Sequence, residues 1–165
     1  MKSLHTREIE LGDGGKTDLR TQFAALCYRV RQGKVQVLLI TSRGAKRWIV
    51  PKGWPMDAKT PGAAAAREAW EEAGLRIARL EAAGECYASP GAATDFFYLF
   101  VGLCDLPDDI TGVGGASEEG ENIRSHVMSF DALLKMAEAR ETANAPLTFL
   151  VYWLAHHRDH LRASS

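Results

Sequence analysis

Three glutamates lie close together near the middle of this 165-residue chain, and their spacing limits how the segment can fold. Glu68, Glu71 and Glu72 stand at positions i, i+3 and i+4, so an α-helix would place all three carboxylates on one face. Like charges at this spacing repel and destabilise a helix by roughly 0.2–0.5 kcal/mol per pair. Either the face is ordinary solvated surface, or a bound cation compensates its charge.

The residues that flank the glutamates mark the two ends of this helix. Thr60 suits the N-cap position, Pro61 the first helical position, and Gly74 the left-handed residue that ends a helix. We expect the opposite side of the helix to be buried, since it carries the apolar residues Ala66, Ala69, Trp70 and Ala73. On this prediction the glutamates face solvent.

Apolar runs on both sides of the helix predict a mixed set of strands and helices. We expect a hairpin over Gln22–Ile40 that turns at Gln32-Gly33, further strands at 47–50, 76–87, 95–104 and 123–129, and helices at 130–140 and 146–161. The segment 105–121 is polar, rich in glycine and long for a connection, which is typical of functional loops. Strands interleaved with helices predict an α/β layered sandwich with a mixed β-sheet.

The composition limits the kinds of partner and the compartment that we expect for this protein. A hydrophobic content of 46% supports one globular domain, which we assign to residues 21–165, with residues 1–20 as a polar tail or edge segment. The net charge of −1 gives no electrostatic basis for binding nucleic acid or an anionic membrane. The chain has three cysteines and no apolar signal-like run at its start, so we expect a cytoplasmic protein with reduced thiols.

The helix and the loop before it carry a motif with many fixed spacings. The segment resembles the Nudix box, G-x5-E-x7-R-E-U-x-E-E-x-G-U, in which U is a bulky aliphatic residue. Seven of the nine fixed positions match, and the nine are Gly53, Lys59, Arg67, Glu68, Ala69, Glu71, Glu72, Gly74 and Leu75. The departures are Lys59 in place of the first glutamate and Ala69 in place of the bulky residue. So many fixed spacings on a predicted loop–helix–loop rarely arise by chance.

The resemblance implies a Nudix-type α/β/α sandwich and a role for each matched residue. Gly53, Glu68, Glu71 and Glu72 would be ligands of Mg²⁺ or Mn²⁺, with Glu72 also counted among the catalytic residues. Arg67 would orient the acids. Because Lys59 removes one carboxylate, a catalytically inactive box remains an alternative.

The first half of the chain resembles one branch of this family. The stretch TSRGAKRWIVPKGWP is similar to diphosphoinositol polyphosphate and dinucleoside polyphosphate hydrolases. It places a basic group beside the box, consisting of Arg43, Lys46, Arg47, Lys52 and Lys59. We expect Arg43, Arg47, Lys52 and Lys59 to contact the phosphates of the substrate.

The second half resembles a different branch, the ADP-ribose pyrophosphatases. Pro90 stands at the distance from the box where these enzymes have a proline, and the loop at 112–121 is similar to their catalytic loop. Glu119 or Glu121 of that loop would then act as the general base. Phe96, Phe97 and Tyr98 alternate across a strand and are expected in the core, with one outward ring able to stack on adenine.

These features predict a Mg²⁺-dependent hydrolase whose partner is a small nucleoside diphosphate linked to a second group. The first choice of substrate is ADP-ribose, cleaved to AMP and ribose 5-phosphate. The alternatives are a diadenosine or diphosphoinositol polyphosphate hydrolase, or a nucleotide-binding sensor with little activity. A homodimer is compatible with the sequence.

Overall fold

The strands form one mixed sheet, and helices cover both of its faces. The computed structural model describes residues 20–41, 47–56, 59–108, 110, 113–114 and 123–163. In chain order the elements are β1 (Arg20–Arg31), β2 (Lys34–Thr41), β3 (Trp48–Ile49), β4 (Lys52–Gly53), α1 (Pro61–Ala73), β5 (Ile77–Tyr87), β6 (Asp95–Cys104), β7 (Val113–Gly114), β8 (Ile123–Ser129), α2 (Phe130–Glu138) and α3 (Ala145–Ala163). No helix in these ranges is long and apolar enough to cross a membrane.

The sheet has two additional short strands at one end. The order across it is β5-β6-β1-β2-β8-β7, with β1 parallel to β6 and the other neighbours antiparallel. β4 pairs with the start of β1 at Phe23 and Ala24, and β3 pairs with the end of β2 at Ile40 and Thr41. We call this end of the sheet, where β1 begins and β2 finishes, the β3/β4 end.

The hairpin between β1 and β2 turns where the sequence predicts. Gln32 and Gly33 have positive φ values of 50° and 71°. Two consecutive positive φ angles are the requirement of a type I′ turn, whose twist matches that of the flanking strands. The turn fixes the register that sets Cys27 opposite Leu38.

Alternate residues of β1 belong to different cores. Phe23, Ala25 and Cys27 pack with the buried alanines of α1, whereas Ala24 and Leu26 pack with the helices α2 and α3. Successive side chains of a strand point to opposite faces, so one central strand contributes to both layers. The result is a three-layer α/β/α sandwich, which confirms the predicted fold.

Both predicted ends of α1 are confirmed. The Thr60 hydroxyl accepts a hydrogen bond from the Ala63 N–H at 3.3 Å, as an N-cap does. At the other end Gly74 has a φ of 67° and its N–H donates to the Trp70 carbonyl at 2.8 Å. The Leu75 N–H donates to the Ala69 carbonyl at 3.1 Å, which completes a Schellman-type end.

The predicted buried face of α1 is confirmed at Ala69 and is wrong at Trp70. Trp70 is 45% exposed and carries the Arg76 guanidinium over its ring at 5.1 Å, while the buried residues are Pro61, Ala64, Ala65 and Ala69. Steps of three and four residues place Glu68 and Glu72 on this same face. Alanine occurs all round the helix, so hydrophobicity alone did not identify the side that packs on the sheet.

A short strand interrupts the polar segment 105–121. β7 pairs with the start of β8, with Val113 opposite Arg124 and Gly114 opposite Ile123. The predicted loop therefore returns to the sheet before it reaches β8. Residues 115–122 lie outside the described residues.

Candidate functional site

Helix α1 meets strand β4 where Glu68 lies against Gly53. Gly53 is buried and pairs with Phe23 of β1. A β-carbon built on Gly53 would lie 2.0 Å from the Glu68 carboxyl carbon and 2.1 Å from each carboxylate oxygen. The carboxylate thus fills the space that a side chain at position 53 would need. Glycine is required here for close approach, not for an unusual φ angle.

Glu72 is bound to the residue next to Gly53. The backbone N–H of Lys52 donates a hydrogen bond to Glu72 Oε2 at 2.9 Å, and Glu72 is half-buried. Hydrogen bonds to an ionised acceptor are stronger than those between neutral groups. The expectation that Glu72 faces solvent is therefore wrong, because the residue is fixed against β4.

Glu71 differs from the other two glutamates. It is exposed, and its Oε1 accepts a hydrogen bond from Arg67 Nε at 2.5 Å, one helical turn away. Arg67 therefore contacts one of the acids that the resemblance implies it orients. Exposed pairs of this kind contribute only about 0.3–0.5 kcal/mol of stability. The contact matters more for the direction in which it holds the Glu71 carboxylate.

The oxygen atoms where α1 meets β4, which we call the α1/β4 corner, are of the kind that binds a hard divalent cation. Glu68 and Glu72 offer carboxylate oxygens beside Gly53, and oxygen ligands are what Mg²⁺ and Mn²⁺ prefer. Among the described residues no three His, Cys, Asp or Glu side chains lie close enough together to hold a metal. Glu71 is instead bonded to Arg67. A cation that drew in all three would have to release Glu71 from Arg67.

The predicted substrate-binding residues lie at different places around this corner. Arg47 and Lys59 are exposed, on either side of β3 and β4 along the chain, and Lys52 is half-buried within β4. Pro90 is exposed in the turn between β5 and β6, where the Ala92 N–H donates to the Ser89 carbonyl at 3.1 Å. This turn is at the β3/β4 end, because Asp95 pairs with Arg20 at the start of β1. Arg43 lies outside the described residues.

The loop that contains Glu119 and Glu121 lies between β7 and the start of β8. Both glutamates lie outside the described residues. β7 and β8, which precede and follow the loop, pair at Arg124, and Arg124 in turn lies opposite Thr41 at the β3/β4 end. β7 also lies against α1.

A row of aromatic rings crosses the sheet on the side of α1. Phe23 stacks on Tyr98 at 5.3 Å between ring centroids, Phe96 meets Tyr98 edge to face at 5.3 Å, and Tyr87 meets Phe96 at 4.9 Å. Burial raises the pKa of the Tyr98 hydroxyl, and the Glu85 carboxylate raises it further. Phe97 is buried on the other side, so the predicted alternation across β6 is confirmed.

Two features of the site were missed in the sequence. The exposed Trp54 follows Gly53 directly, and the Arg20 guanidinium lies over its ring at 5.2 Å. Gln22 bonds to the Lys52 side chain. The signal for Trp54 was its place beside the motif glycine, whereas nothing in the sequence distinguishes Gln22 from other polar strand residues.

An open cleft of about 420 Å³ lies far from the box, at the other end of β1. Arg29 and Arg31 line it, and both donate hydrogen bonds to Asp108. These bonds from Arg31 and Arg29 lower the pKa of the Asp108 carboxyl. Since both arginines are already paired with Asp108, their charge gives no strong reason to expect an anionic ligand in the cleft.

Two curated proteins match part of this chain. ADP-ribose pyrophosphatase of Escherichia coli (strain K12) is 34% identical over 98 residues, which cover 59% of this chain and 46% of that protein. Human diphosphoinositol polyphosphate phosphohydrolase 3-alpha is 38% identical over 80 residues, which cover 47% of this chain and 49% of that protein. The chain thus matches about half the length of these curated relatives.

The fold and the family are both supported over a larger share of the chain. The structure of a C. elegans Ap4A hydrolase binary complex superimposes with a TM-score of 0.63 and 19% identity, covering 86% of this chain and 98% of that one. At this identity the likeness concerns the fold. The profile of the NUDIX domain matches residues 20–149, which include the sheet, α1 and α2. The chain therefore belongs to the Nudix family.

Proposed function

We propose that this protein is a Mg²⁺- or Mn²⁺-dependent pyrophosphohydrolase that cleaves a nucleoside diphosphate linked to a second group. The proposal rests chiefly on the contacts of Glu68 and Glu72 with β4, which bring two carboxylates to consecutive residues of one strand. Carboxylate and main-chain carbonyl oxygens are the ligands that Mg²⁺ and Mn²⁺ prefer. The phosphates of a diphosphate also bind such a cation, so cation and substrate would share this site.

Each residue of the box has a separate task in this proposal. When bound, a divalent cation would stabilise charge on the phosphoryl oxygens and lower the pKa of the attacking water. Glu68 and Glu72 would hold it, with Glu71 and the Gly53 carbonyl as further ligands. The Lys52 N–H keeps Glu72 in place, and Arg67 controls the direction of Glu71.

A general base from the loop at 112–121 completes the proposed mechanism. Glu119 or Glu121 would accept the proton of the attacking water, because their loop begins and ends beside α1 and the β3/β4 end. A loop can deliver such an acid only when substrate is bound, which limits unproductive reaction with water. Arg47, Lys52 and Lys59 would contact the phosphates.

Lys59 is the main departure from the family motif. It is exposed and immediately precedes the N-cap Thr60, and its N–H donates to the Met56 carbonyl at 3.2 Å. We infer that its ammonium binds a substrate phosphate where the motif has a carboxylate. The second acidic cluster, Glu68 with Glu71 and Glu72, is complete and is sufficient for metal binding in this proposal.

ADP-ribose is the substrate that the comparisons favour. The match to the E. coli ADP-ribose pyrophosphatase spans 98 residues, against 80 for the human diphosphoinositol polyphosphate phosphohydrolase. Charge points the same way, since a substrate with many phosphates needs a dense set of basic partners. The loop at 112–121 instead carries Glu118, Glu119 and Glu121, which would repel such a ligand. Cleavage would yield AMP and ribose 5-phosphate.

Hydrolysis of diphosphoinositol polyphosphates is the second candidate. It is favoured by a specific observation, the 45% identity over 53 residues to the rat diphosphoinositol polyphosphate phosphohydrolase 2. A sensor that binds nucleotides without turnover is the third. The cytoplasmic location, the homodimer and the boundary between the tail and the domain at residues 20 and 21 stay predictions.

Replacing Glu72 tests the catalytic part of the proposal. Glu72→Gln keeps an oxygen that can accept the Lys52 N–H, so the free energy of unfolding should change by no more than about 1 kcal/mol. Loss of the negative charge should lower kcat by about 100-fold or more. The measurement is Mg²⁺-dependent release of AMP from ADP-ribose. Glu138→Gln removes an exposed carboxylate at the end of α2 and serves as the control. Equal rates for both variants would contradict the assignment.

Replacing Gly53 tests the packing of Glu68. The methyl group of Gly53→Ala must displace the Glu68 carboxylate, but only the end of a flexible side chain moves, so the fold should be retained. We expect Mg²⁺ to stabilise the wild-type protein by about 2.7 kcal/mol at 100 times its Kd, and the variant far less. Thermal unfolding with and without Mg²⁺ measures this. Gly91→Ala, whose β-carbon meets open space, is the control. An undiminished Mg²⁺ effect in Gly53→Ala would refute the role of Glu68.

Substrate choice is tested by measuring kcat/KM for three compounds side by side. We expect kcat/KM for ADP-ribose to exceed that for a diadenosine polyphosphate and for a diphosphoinositol phosphate at one Mg²⁺ concentration. The metal ligands position only the diphosphate that all three share, so selectivity must come from the turn at Pro90 and the loop at 112–121. A preference for either polyphosphate would instead support the branch that the first half of the chain resembles.

A further inference from the structure

Lys52 makes two separate contacts, one through its backbone N–H with Glu72 and one through its side chain with Gln22. In the ladder between β1 and β4, Gly53 lies opposite Phe23 and Lys52 lies opposite Ala24. Phe23 belongs to the core under α1, and Ala24 to the core under α2 and α3. Directly opposed residues share a face. The Lys52 side chain therefore extends on the face away from α1, while its N–H holds Glu72.

The Lys52 ammonium has a neutral partner. Its Nζ donates to Gln22 Oε1 at 3.2 Å, and both residues are half-buried. In the described ranges no carboxylate lies within 4.0 Å of this ammonium. A lysine can bury its stem while its ammonium stays accessible, and an amide oxygen leaves the charge of that ammonium uncompensated.

Joining the two strands does not require the Gln22–Lys52 contact. β4 is already bound to β1 by its backbone ladder at Phe23 and Ala24. The Ala25 N–H also donates to the Pro51 carbonyl at 3.1 Å. A purely structural role would moreover be served better by glutamate, which would neutralise the ammonium. The amide instead fixes the position of the ammonium and preserves its charge.

We propose that Gln22 is a positioning residue that holds the Lys52 ammonium for one phosphate of a nucleoside diphosphate, on the sheet face away from α1. The inference rests on the proposed function, because it takes the substrate to be a diphosphate. Lysine is a common phosphate ligand that acts as a point charge on a flexible stem. Such a stem loses much rotamer freedom on binding, and a preformed contact to Gln22 reduces that cost.

The division of labour at β4 follows from this placement. Consecutive strand residues serve the metal on one face, through Gly53 and Glu68, and a phosphate on the other, through Lys52. A diphosphate bound at the edge of β4 would then be held from both sides. Gln22 touches the substrate only through Lys52, so its effect should appear in binding and not in the chemical step.

The test compares binding of a ligand that cannot be hydrolysed, α,β-methylene ADP-ribose, with Mg²⁺ present. Isothermal titration calorimetry gives its Kd for the wild-type protein and for Gln22→Ala, Gln22→Glu, Lys52→Gln and the double variant Gln22→Ala/Lys52→Gln. Lys34→Gln, which removes the same charge from the exposed hairpin at the far end of β1, is the control. Circular dichroism checks that each variant is folded.

We expect Lys52→Gln to weaken binding about tenfold or more, as for loss of a charged hydrogen bond. Gln22→Glu should weaken it by a similar factor, because the carboxylate neutralises Lys52, and Gln22→Ala should weaken it less. The double variant should bind no more weakly than Lys52→Gln alone, because Gln22 acts through Lys52. When hydrolysis of ADP-ribose is measured, Gln22→Ala should raise KM and leave kcat within about twofold of wild type.

Three results would overturn this inference. They are a Gln22→Glu variant that binds as tightly as wild type, a Gln22→Ala loss that persists in full when Lys52 is already replaced, and a wild-type protein that does not bind the analogue. Failure of the proposed function is a separate result. In that case the wild-type protein binds the analogue, with the expected pattern among the variants, but hydrolyses no diphosphate.

Discussion

The contact between the carboxylates of α1 and the backbone of β4 is the interaction on which the rest of the site depends. Glu68 occupies the space that a side chain on Gly53 would fill, and Glu72 accepts the N–H of Lys52. Both contacts use the main chain of a two-residue strand, so they do not depend on a flexible partner. They place two carboxylates against consecutive residues of β4.

The architecture of the sheet makes this contact possible. β3 and β4 pair with β2 and β1 at one end only, so β4 lies within reach of the face of α1 that packs on β1. The small side chains of Ala64, Ala65 and Ala69 let the helix approach the sheet closely. Ala69 is fully buried in the place where the family motif has a bulky aliphatic residue. The alanines thus set the distance at which the longer glutamate side chains reach β4.

Local signals in the sequence predicted the elements well. The N-cap Thr60 and the left-handed Gly74 are determined by neighbours a few residues away, and apolar runs predicted the hairpin and the strand at 95–104. The same kind of signal failed for the orientation of α1. Trp70 is the largest apolar residue of the helix but lies at the surface under Arg76, and Glu68 and Glu72 contact β4.

The site itself could be predicted only as far as a motif with fixed spacings extends. Gly53, Glu68, Glu71 and Glu72 follow from that pattern, whereas Gln22 lies thirty residues from Lys52 and meets it through strand pairing. No periodicity or composition indicates such a contact, because it depends on the register between β1 and β4. The same holds for Arg20 and Trp54, which meet because β4 runs antiparallel to the start of β1.

The claim that Glu68 and Glu72 form a metal site against β4 is tested most directly by anomalous diffraction from a crystal soaked in Mn²⁺. The account predicts an anomalous peak about 2.1 Å from carboxylate oxygens of Glu68 and Glu72, beside the Gly53 carbonyl. Glu71 should then have turned away from Arg67 towards the ion. A well-occupied Mn²⁺ site elsewhere, with Glu72 still bonded to the Lys52 N–H and no peak near Glu68, would contradict the account.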